Sequence, residues 1–478
     1  MKTFKLITIA LFSFAITACH SGDDKQKPVT ANQPKDTVVA AVKENFPKGE
    51  IIEKVVCKSD ATQSYAMYLP STYSIDKTYP VVYAFDAHGT GKLPVSMYKE
   101  LAEQYGYILI GSNNSKNGTP FEESERIANI LFADSQNRLA INNQRIYLLG
   151  FSGGARVANG ITIKNGAIAG VICCGAAAPG FNSEYPRNNY TWLGIAGDDD
   201  FNSAEMRQYD MIDLAGHNVK HGLISFEGKH EWCPKEVMDE AFWWEELCEM
   251  RKDVKLKNDS LIKKRVTPII KQIETLMKNN KVYDAFVLCK KTINFYDGLT
   301  DLTYCLSTFK TLKTNADVDK GLKAEEKSWS ADKELQQYYM KGFQTFDLDR
   351  WKKEVTQLNG KIKTERDKNT IHLYKRVLGY LSLVAYMQAS GALKQNSLPA
   401  AEYFCNVYAL VDPTNSEAYY LTATVNAIQG NEKGVTDNLN KAAKNGFKDA
   451  ERFVADTVFN KYKNLPACLE FQKVIGGK

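Results

Sequence analysis

The stretch Arg145-Ile-Tyr-Leu-Leu149-Gly150-Phe151-Ser152-Gly153-Gly154, followed by Ala155 to Ile163, runs from a strand into a helix across one serine set among glycines. Arg145 to Phe151 reads as a strand. Ala155 to Ile163 carries helical spacing. The pattern between them is G-x-S-x-G. Glycine there removes the Cβ atoms that would collide where a strand turns sharply into a helix, and it leaves the serine in a strained turn. A serine presented in this way is a candidate nucleophile.

Outward from this point the chain alternates strands and helices from about Glu50 to Glu249. Ile51 to Cys57 and Ser64 to Leu69 read as an antiparallel strand pair. Pro80 to Phe85, Tyr107 to Gly111, Ile168 to Cys174, Trp192 to Ala196 and Leu223 to Phe226 read as further strands. Helical spacing occupies Leu93 to Tyr105, Glu122 to Leu139, Ala204 to Leu214 and Lys235 to Met250. Such alternation predicts an α/β fold, a mostly parallel sheet with helices on both faces.

A nucleophilic serine needs a base and an acid that orients it. After the strand Trp192 to Ala196 comes Gly197-Asp198-Asp199-Asp200, and after Leu223 to Phe226 comes Glu227-Gly228-Lys229-His230. The chain holds six histidines. His20 lies near the N-terminus, His372 in the helical region, and His88 before the serine. His217 precedes the last strand and His221 lies within or at the start of it, so His230 is the candidate base. Three consecutive aspartates leave the acid open. Strand-end position ranks Asp200 first, with Asp198 and Asp199 as alternatives or as caps of the helix beginning near Asn202.

On these residues, 50–250 resembles the α/β-hydrolase superfamily, in a minimal form similar to esterases of the feruloyl-esterase and polyhydroxybutyrate-depolymerase type. The resemblance covers under half the chain. It implies acyl transfer to water through a covalent acyl-enzyme on Ser152, with Asp200 (the family's G-x-x-D) and His230 completing the triad. It also implies an oxyanion hole. Gly153 N–H would be one donor, at a helix N-terminus where the dipole helps. The loop Asp86-Ala87-His88-Gly89-Thr90-Gly91 is similar to the family's HG-type oxyanion loop, which makes Thr90 N–H the other. The same loop is not a phosphate loop, because Leu93 stands where Ser or Thr should follow Lys92. His230-Glu231-Trp232 lacks the second histidine of a zinc signature. No cofactor and no metal are expected, and the substrate would be a small acyl ester or a peptide. The family's cap is absent between the sixth strand and the acid, where only Ala176 to Tyr190 lies. Two competing readings are a non-catalytic binding lipoprotein that keeps the hydrolase scaffold, and a serine peptidase.

Met1 to Cys19 has a signal-peptide layout: Lys2 and Lys5, an apolar run from Leu6 to Ile16, then small residues. Ile16-Thr17-Ala18-Cys19 resembles a bacterial lipobox, with Cys19 as the lipidation site. That implies a membrane-anchored protein of the cell envelope, at the outer membrane. Asp23-Asp24 resembles the acidic export signal of surface lipoproteins of the Bacteroidetes. Residues 19–49 read as a polar tether. The chain of 478 residues carries 61 basic and 56 acidic side chains, a net charge of +5 that gives no concentrated basic face for nucleic acid. Of its ten cysteines none forms a C-x-x-C pair, while Cys233 with Cys248 and Cys289 with Cys305 are spaced to allow bridges.

Beyond Arg251 the strand signal ends and helical spacing continues, over 251–370 and then 371–478. Ala389, Ala401, Cys405 and Tyr408 recur 34 residues later as Ala423, Val435, Leu439 and Ala442. The period resembles degenerate tetratricopeptide (TPR) repeats from about Ser382 to Lys448. Ile273 to Phe295 reads as a similar helix–turn–helix around Asn279-Asn280. This all-α domain is expected to fold apart from the hydrolase and to offer a protein partner a surface rather than to take part in chemistry.

Overall fold

The structure is a computed structural model and describes residues 43–178 and 190–476. The lipobox, Cys19 and most of the tether lie outside the described residues, as does most of the segment Ala176 to Tyr190.

One sheet contains β1 (Ile51–Val56), β2 (Ser64–Tyr68), β3 (Tyr79–Phe85), β4 (Ile108–Ser112), β5 (Ile141–Phe151), β6 (Gly170–Cys174), β7 (Thr191–Gly197) and β8 (Lys220–Phe226). Its order is β1-β2-β4-β3-β5-β6-β7-β8. β1 with β2, and β2 with β4, run antiparallel. β3 is parallel to both β4 and β5, and β5 is parallel to β6. This is the mostly parallel α/β arrangement expected from the sequence. Phe85 pairs with Gly150, so the loops after β3 and β5 leave the sheet at the same end from adjacent strands.

The helices α1 (Lys92–Tyr105), α2 (Phe121–Arg138), α3 (Gly153–Lys164), α4 (Ser203–Gln208) and α5 (Lys235–Arg251) alternate with the later strands. The helix expected to reach Leu214 ends at Gln208 and continues as a π-helical turn, Tyr209–Asp213. No strand follows α5 among the described residues. The chain continues through α6 (Asp259–Lys278), α7 (Val282–Tyr296), α8 (Thr303–Leu312), α9 (Ala316–Thr345), α10 (Leu348–Thr364) and α11 (Lys368–Lys394). It ends with α12 (Leu398–Val411), α13 (Ser416–Gln429), α14 (Glu432–Lys444), α15 (Ala450–Ala455) and α16 (Pro466–Ile475). Side-chain caps define several starts. Asn315, Asp347, Asp367 and Asn415 each accept a backbone N–H of the first turn, satisfying donors a helix leaves open.

Packing groups the chain into two compact units. Of the described residues, one unit holds those up to Gly194 with Tyr209–Gly222 and Pro234–Cys248; the other holds Ile195–Gln208, Leu223–Cys233 and those from Glu249 on. The first is built around fully buried aromatics, among them Tyr65, Tyr83, Tyr147, Trp192 and Trp244. It also buries an ion pair between Arg145 and Glu246, with Arg145 Nη2 donating to Tyr107 OH at 2.9 Å. The second unit has a core around Trp351, which packs with Phe343 and donates from Nε1 to Tyr403 OH at 2.9 Å.

All eight residues of the 34-residue repeat are buried. Ala389, Ala401, Cys405 and Tyr408 share one apolar cluster; Ala423, Val435, Leu439 and Ala442 share the next. Asn280, with φ 56°, makes the left-handed turn between α6 and α7. The nine cysteines of the described residues are buried, and Cys289 and Cys305 form no bridge. Cys289 and Cys305 are hydrogen-bonded as thiols.

Candidate active site

Ser152 stands between β5 and α3 at φ 53° and ψ −121°, backbone angles that a residue with a Cβ rarely adopts. Its N–H donates to the Cys174 carbonyl at the end of β6 at 2.8 Å. Its carbonyl accepts from Ala155 N–H at 3.0 Å and Arg156 N–H at 3.2 Å. The glycines are required by close backbone approach. A Cβ on Gly150 would lie 2.3 Å from the Gly154 carbonyl oxygen, and one on Gly154 would lie 2.0 Å from that of Phe85. Gly153 opens α3, so its N–H is one of the donors a helix leaves without an internal partner. Against Gly153 lies the side chain of Asn117, whose Oδ1 would be 1.8 Å from a Cβ there. Asn117 is held by its own N–H, which donates to the Ala87 carbonyl at 2.8 Å. Asn117 carries no signal in the sequence, being a polar loop residue with no spacing relation to Ser152.

The loop after β3 turns on Asp86, a buried carboxylate. Asp86 Oδ1 accepts from His88 N–H at 2.9 Å and from Thr90 N–H at 3.4 Å. Thr90 N–H is therefore aimed at a carboxylate oxygen through a long contact, and to serve an oxyanion it would have to exchange that partner. His88 shapes this turn, its ring exposed and 3.7 Å from Asp86. The Asp86 carboxylate holds the His88 imidazole above its usual pKa. Gly91 crosses Gly111 so closely that a Cβ on it would lie 2.1 Å from the Gly111 carbonyl oxygen.

Asp200 and His230 lie in the second unit. Their loops are laced together by backbone bonds: Asp198 N–H donates to Phe226 O at 2.8 Å and Asp199 N–H to Gly228 O at 2.9 Å. Of the three aspartates it is Asp200 whose Oδ1 is hydrogen-bonded to His230 Nδ1, at 2.9 Å. The same oxygen accepts from Asn202 N–H at 2.8 Å, so Asp200 also closes the turn that leads into α4. Phe201 lies against the His230 ring, with centroids 4.2 Å apart. Asp199 is bound elsewhere, to His372 Nδ1 at 2.6 Å and Lys375 Nζ at 3.0 Å. Burial holds the Asp198 carboxyl above its usual range, while His372 and a hydrogen bond from Ser225 pull it down.

Histidine–carboxylate contacts recur in this protein. His221, inside β8, is bonded to Asp210 at 2.8 Å, and His372 is bonded to Asp199. Only the His230–Asp200 pair joins two loops that each directly follow a strand. Among the described residues no cluster of three or more His, Cys, Asp or Glu side chains could hold a metal ion. No helix among them is long and apolar enough to cross a membrane.

No protein-family model matches this chain, and no curated protein does. Solved structures do. An S-formylglutathione hydrolase from Agrobacterium tumefaciens is 14% identical over 43% of this chain and 97% of its own, with a TM-score of 0.33. Esterase B from Lactobacillus rhamnosis is 12% identical over 44% of this chain and 91% of its own, with a TM-score of 0.35. The ferulic acid esterase from the fungus Anaeromyces mucronatus is 18% identical over 42% of this chain and 91% of its own, with a TM-score of 0.33.

Proposed function

We propose that the chain is a serine hydrolase of the esterase type that transfers an acyl group to water. The observation that carries this reading is Ser152 itself, a non-glycine residue held in a strained turn between a buried strand and a helix N-terminus. Strain of about 1–3 kcal/mol persists where surrounding structure enforces it, which is characteristic of reactive positions. The hydrogen-bonded His230–Asp200 pair adds support, since a carboxylate on Nδ1 favours the tautomer whose Nε2 carries no hydrogen and acts as the base.

In this mechanism Ser152 Oγ attacks the acyl carbonyl while His230 Nε2 takes its proton. Asp200 orients the imidazole and stabilises its cation. Gly153 N–H, with Thr90 N–H as second donor, holds the oxyanion. His230 returns the proton to the leaving alcohol, and water then attacks the acyl-serine by the same steps in reverse roles. A fluorophosphonate probe is the direct test. It labels the native full-length protein and not Ser152→Ala. Equal labelling of both, or none of the native protein, rejects the reading.

The N-terminal sequence supports anchoring at the cell envelope through a lipidated Cys19. Membrane fractionation of Cys19→Ala tests this, since release into the soluble fraction is expected and retention contradicts it. The repeat period supports a TPR-like surface for a protein partner.

A further inference from the structure

The acid loop, residues 198–201, is gripped by helices far away in the sequence. Asp199 is bonded to His372 and Lys375 of α11, 173 and 176 positions on. The backbone carbonyl of Asp198 accepts from Arg376 Nη1 at 3.0 Å. The Phe201 carbonyl accepts from Gln336 Nε2 of α9 at 3.3 Å, and its ring lies 3.5 Å from where a Cβ on Gly379 of α11 would stand. Of the four residues, Asp200 is the one whose side chain is hydrogen-bonded to His230, with the Phe201 ring lying against the same imidazole.

Arg376 is the centre of this grip. It is buried, and its planar fork is filled: Nε donates to Asp332 Oδ2 at 2.6 Å, Nη1 to the Asp198 carbonyl, and Nη2 to Ser328 Oγ at 3.3 Å. The guanidinium lies over the Trp329 ring, 4.5 Å from its centroid. A buried Arg–Asp pair is a poor stabiliser, because desolvation offsets its attraction. What such a fork supplies is direction, since planar donors fix an acceptor in angle as well as distance.

We propose that α11 and α9 of the helical region position the catalytic acid. Arg376, seconded by His372, Lys375 and Gln336, clamps the loop on both sides of Asp200, so that its carboxylate is presented to His230. This rests on the hydrolase reading above. The helical region is then a working part of the catalytic site in addition to any surface it offers a partner. The three side chains on α11 act through Asp200, as positioning residues.

The test uses the full-length protein and two independent readouts. The first is the Nδ1–H resonance of His230 in protein labelled with ¹⁵N-histidine, assigned by its loss in His230→Gln. The second is kcat and KM on p-nitrophenyl acetate. Arg376→Ala is expected to lower kcat about 100-fold, the scale of a misplaced catalytic group, and to leave KM within about twofold. It is also expected to weaken or shift the His230 resonance. Arg376→Lys, which keeps one donor toward the carbonyl, should recover about tenfold of that loss. Arg452→Ala, in α15, removes a partly exposed ion pair with Glu417 of α13 and should change neither readout. If Arg376→Ala does not fold, His372→Asn and Lys375→Met on the same face are expected to lower kcat and shift the resonance in the same direction. Folded variants with unchanged kcat and resonance, or an equal loss in Arg452→Ala, overturn the proposal. If native Ser152 proves unreactive, the hydrolase reading fails separately. The resonance still reports whether Arg376 holds Asp200 against His230, and its indifference to Arg376→Ala overturns the clamp.

Discussion

Gly197, the last residue of β7, and Gly228, in the loop after β8, approach so closely that a Cβ on Gly197 would lie 2.4 Å from the Gly228 carbonyl oxygen. The Lys229 carbonyl oxygen is equally near, at 2.4 Å. Backbone does not yield as a flexible side chain would. Gly197→Ala should therefore push the acid and histidine loops apart, cost about 1–3 kcal/mol and abolish fluorophosphonate labelling. Gly216→Ala is the contrast: its φ of +82° is strained for alanine, but no atom lies within 4 Å. It should cost about 1 kcal/mol and leave labelling intact. Thermal melts and labelling of both variants check this.

Ser152→Gly should be more stable than the native protein. Glycine accepts φ 53° without strain, and the gain exceeds its entropic cost by about 1 kcal/mol. Ser152→Ala keeps the Cβ and should gain little. Both should be unreactive. A Ser152→Gly protein that melts below Ser152→Ala would show that the turn is relaxed.

Asp200→Asn should lower kcat on an activated ester by about 10⁴-fold, because an amide cannot hold the imidazole in its working tautomer. Asp199→Asn only loosens the grip of His372 and Lys375, so its loss should be about tenfold. The reverse ranking in steady-state assays would move the acid to Asp199.

Asp198 makes stability depend on pH. Burial raises its carboxyl above the unfolded value of 3.8, so the folded protein binds this proton more tightly than the unfolded chain. Its contribution is complete below the unfolded value and is lost as pH rises through the raised folded one. Asp198→Asn should remove that slope, raising the apparent Tm by about a few degrees at pH 7 and by nothing at pH 3.5. Melts of both proteins across this range test it, and a gain confined to acid pH contradicts it.

Arg145→Met should destabilise the protein by about 3–5 kcal/mol, since it leaves Glu246 buried without its cation. Adding Glu246→Leu should recover most of the loss. Denaturant unfolding of the single and double variants decides, and a double variant no better than the single would mean the carboxylate is served by other groups.

Much of the sheet was legible because its signals are local. A strand buried on both faces is a continuous apolar run, and β3, β4 and β6 read as such within one or two residues. G-x-S-x-G was legible because each glycine answers a collision only a few residues away in sequence or across one strand pair. The 34-residue repeat was legible because helix-to-helix burial recurs with the chain. The π-helical end after α4 was not, since propensity continues there as for any helix. The state of Cys289 and Cys305 was not either: they meet across two helices as thiols, and spacing says nothing of whether two such sulfurs bond.

By itself the sequence determined the order of strands and helices, the elbow serine, and the position of candidate acid and base at strand ends, because these follow from periodicity and steric demands along the chain. Only the tertiary structure distinguishes Asp198, Asp199 and Asp200 by their partners, since they are alike in composition and differ in what reaches them. His230 reaches Asp200, while His372 and Lys375 reach Asp199 from more than 170 positions away. It also decided that the segments carrying acid and base pack with the helices after Glu249, because a carbonyl such as that of Asp198 takes its partner by distance in space, and Arg376 was the donor that folding brought to it.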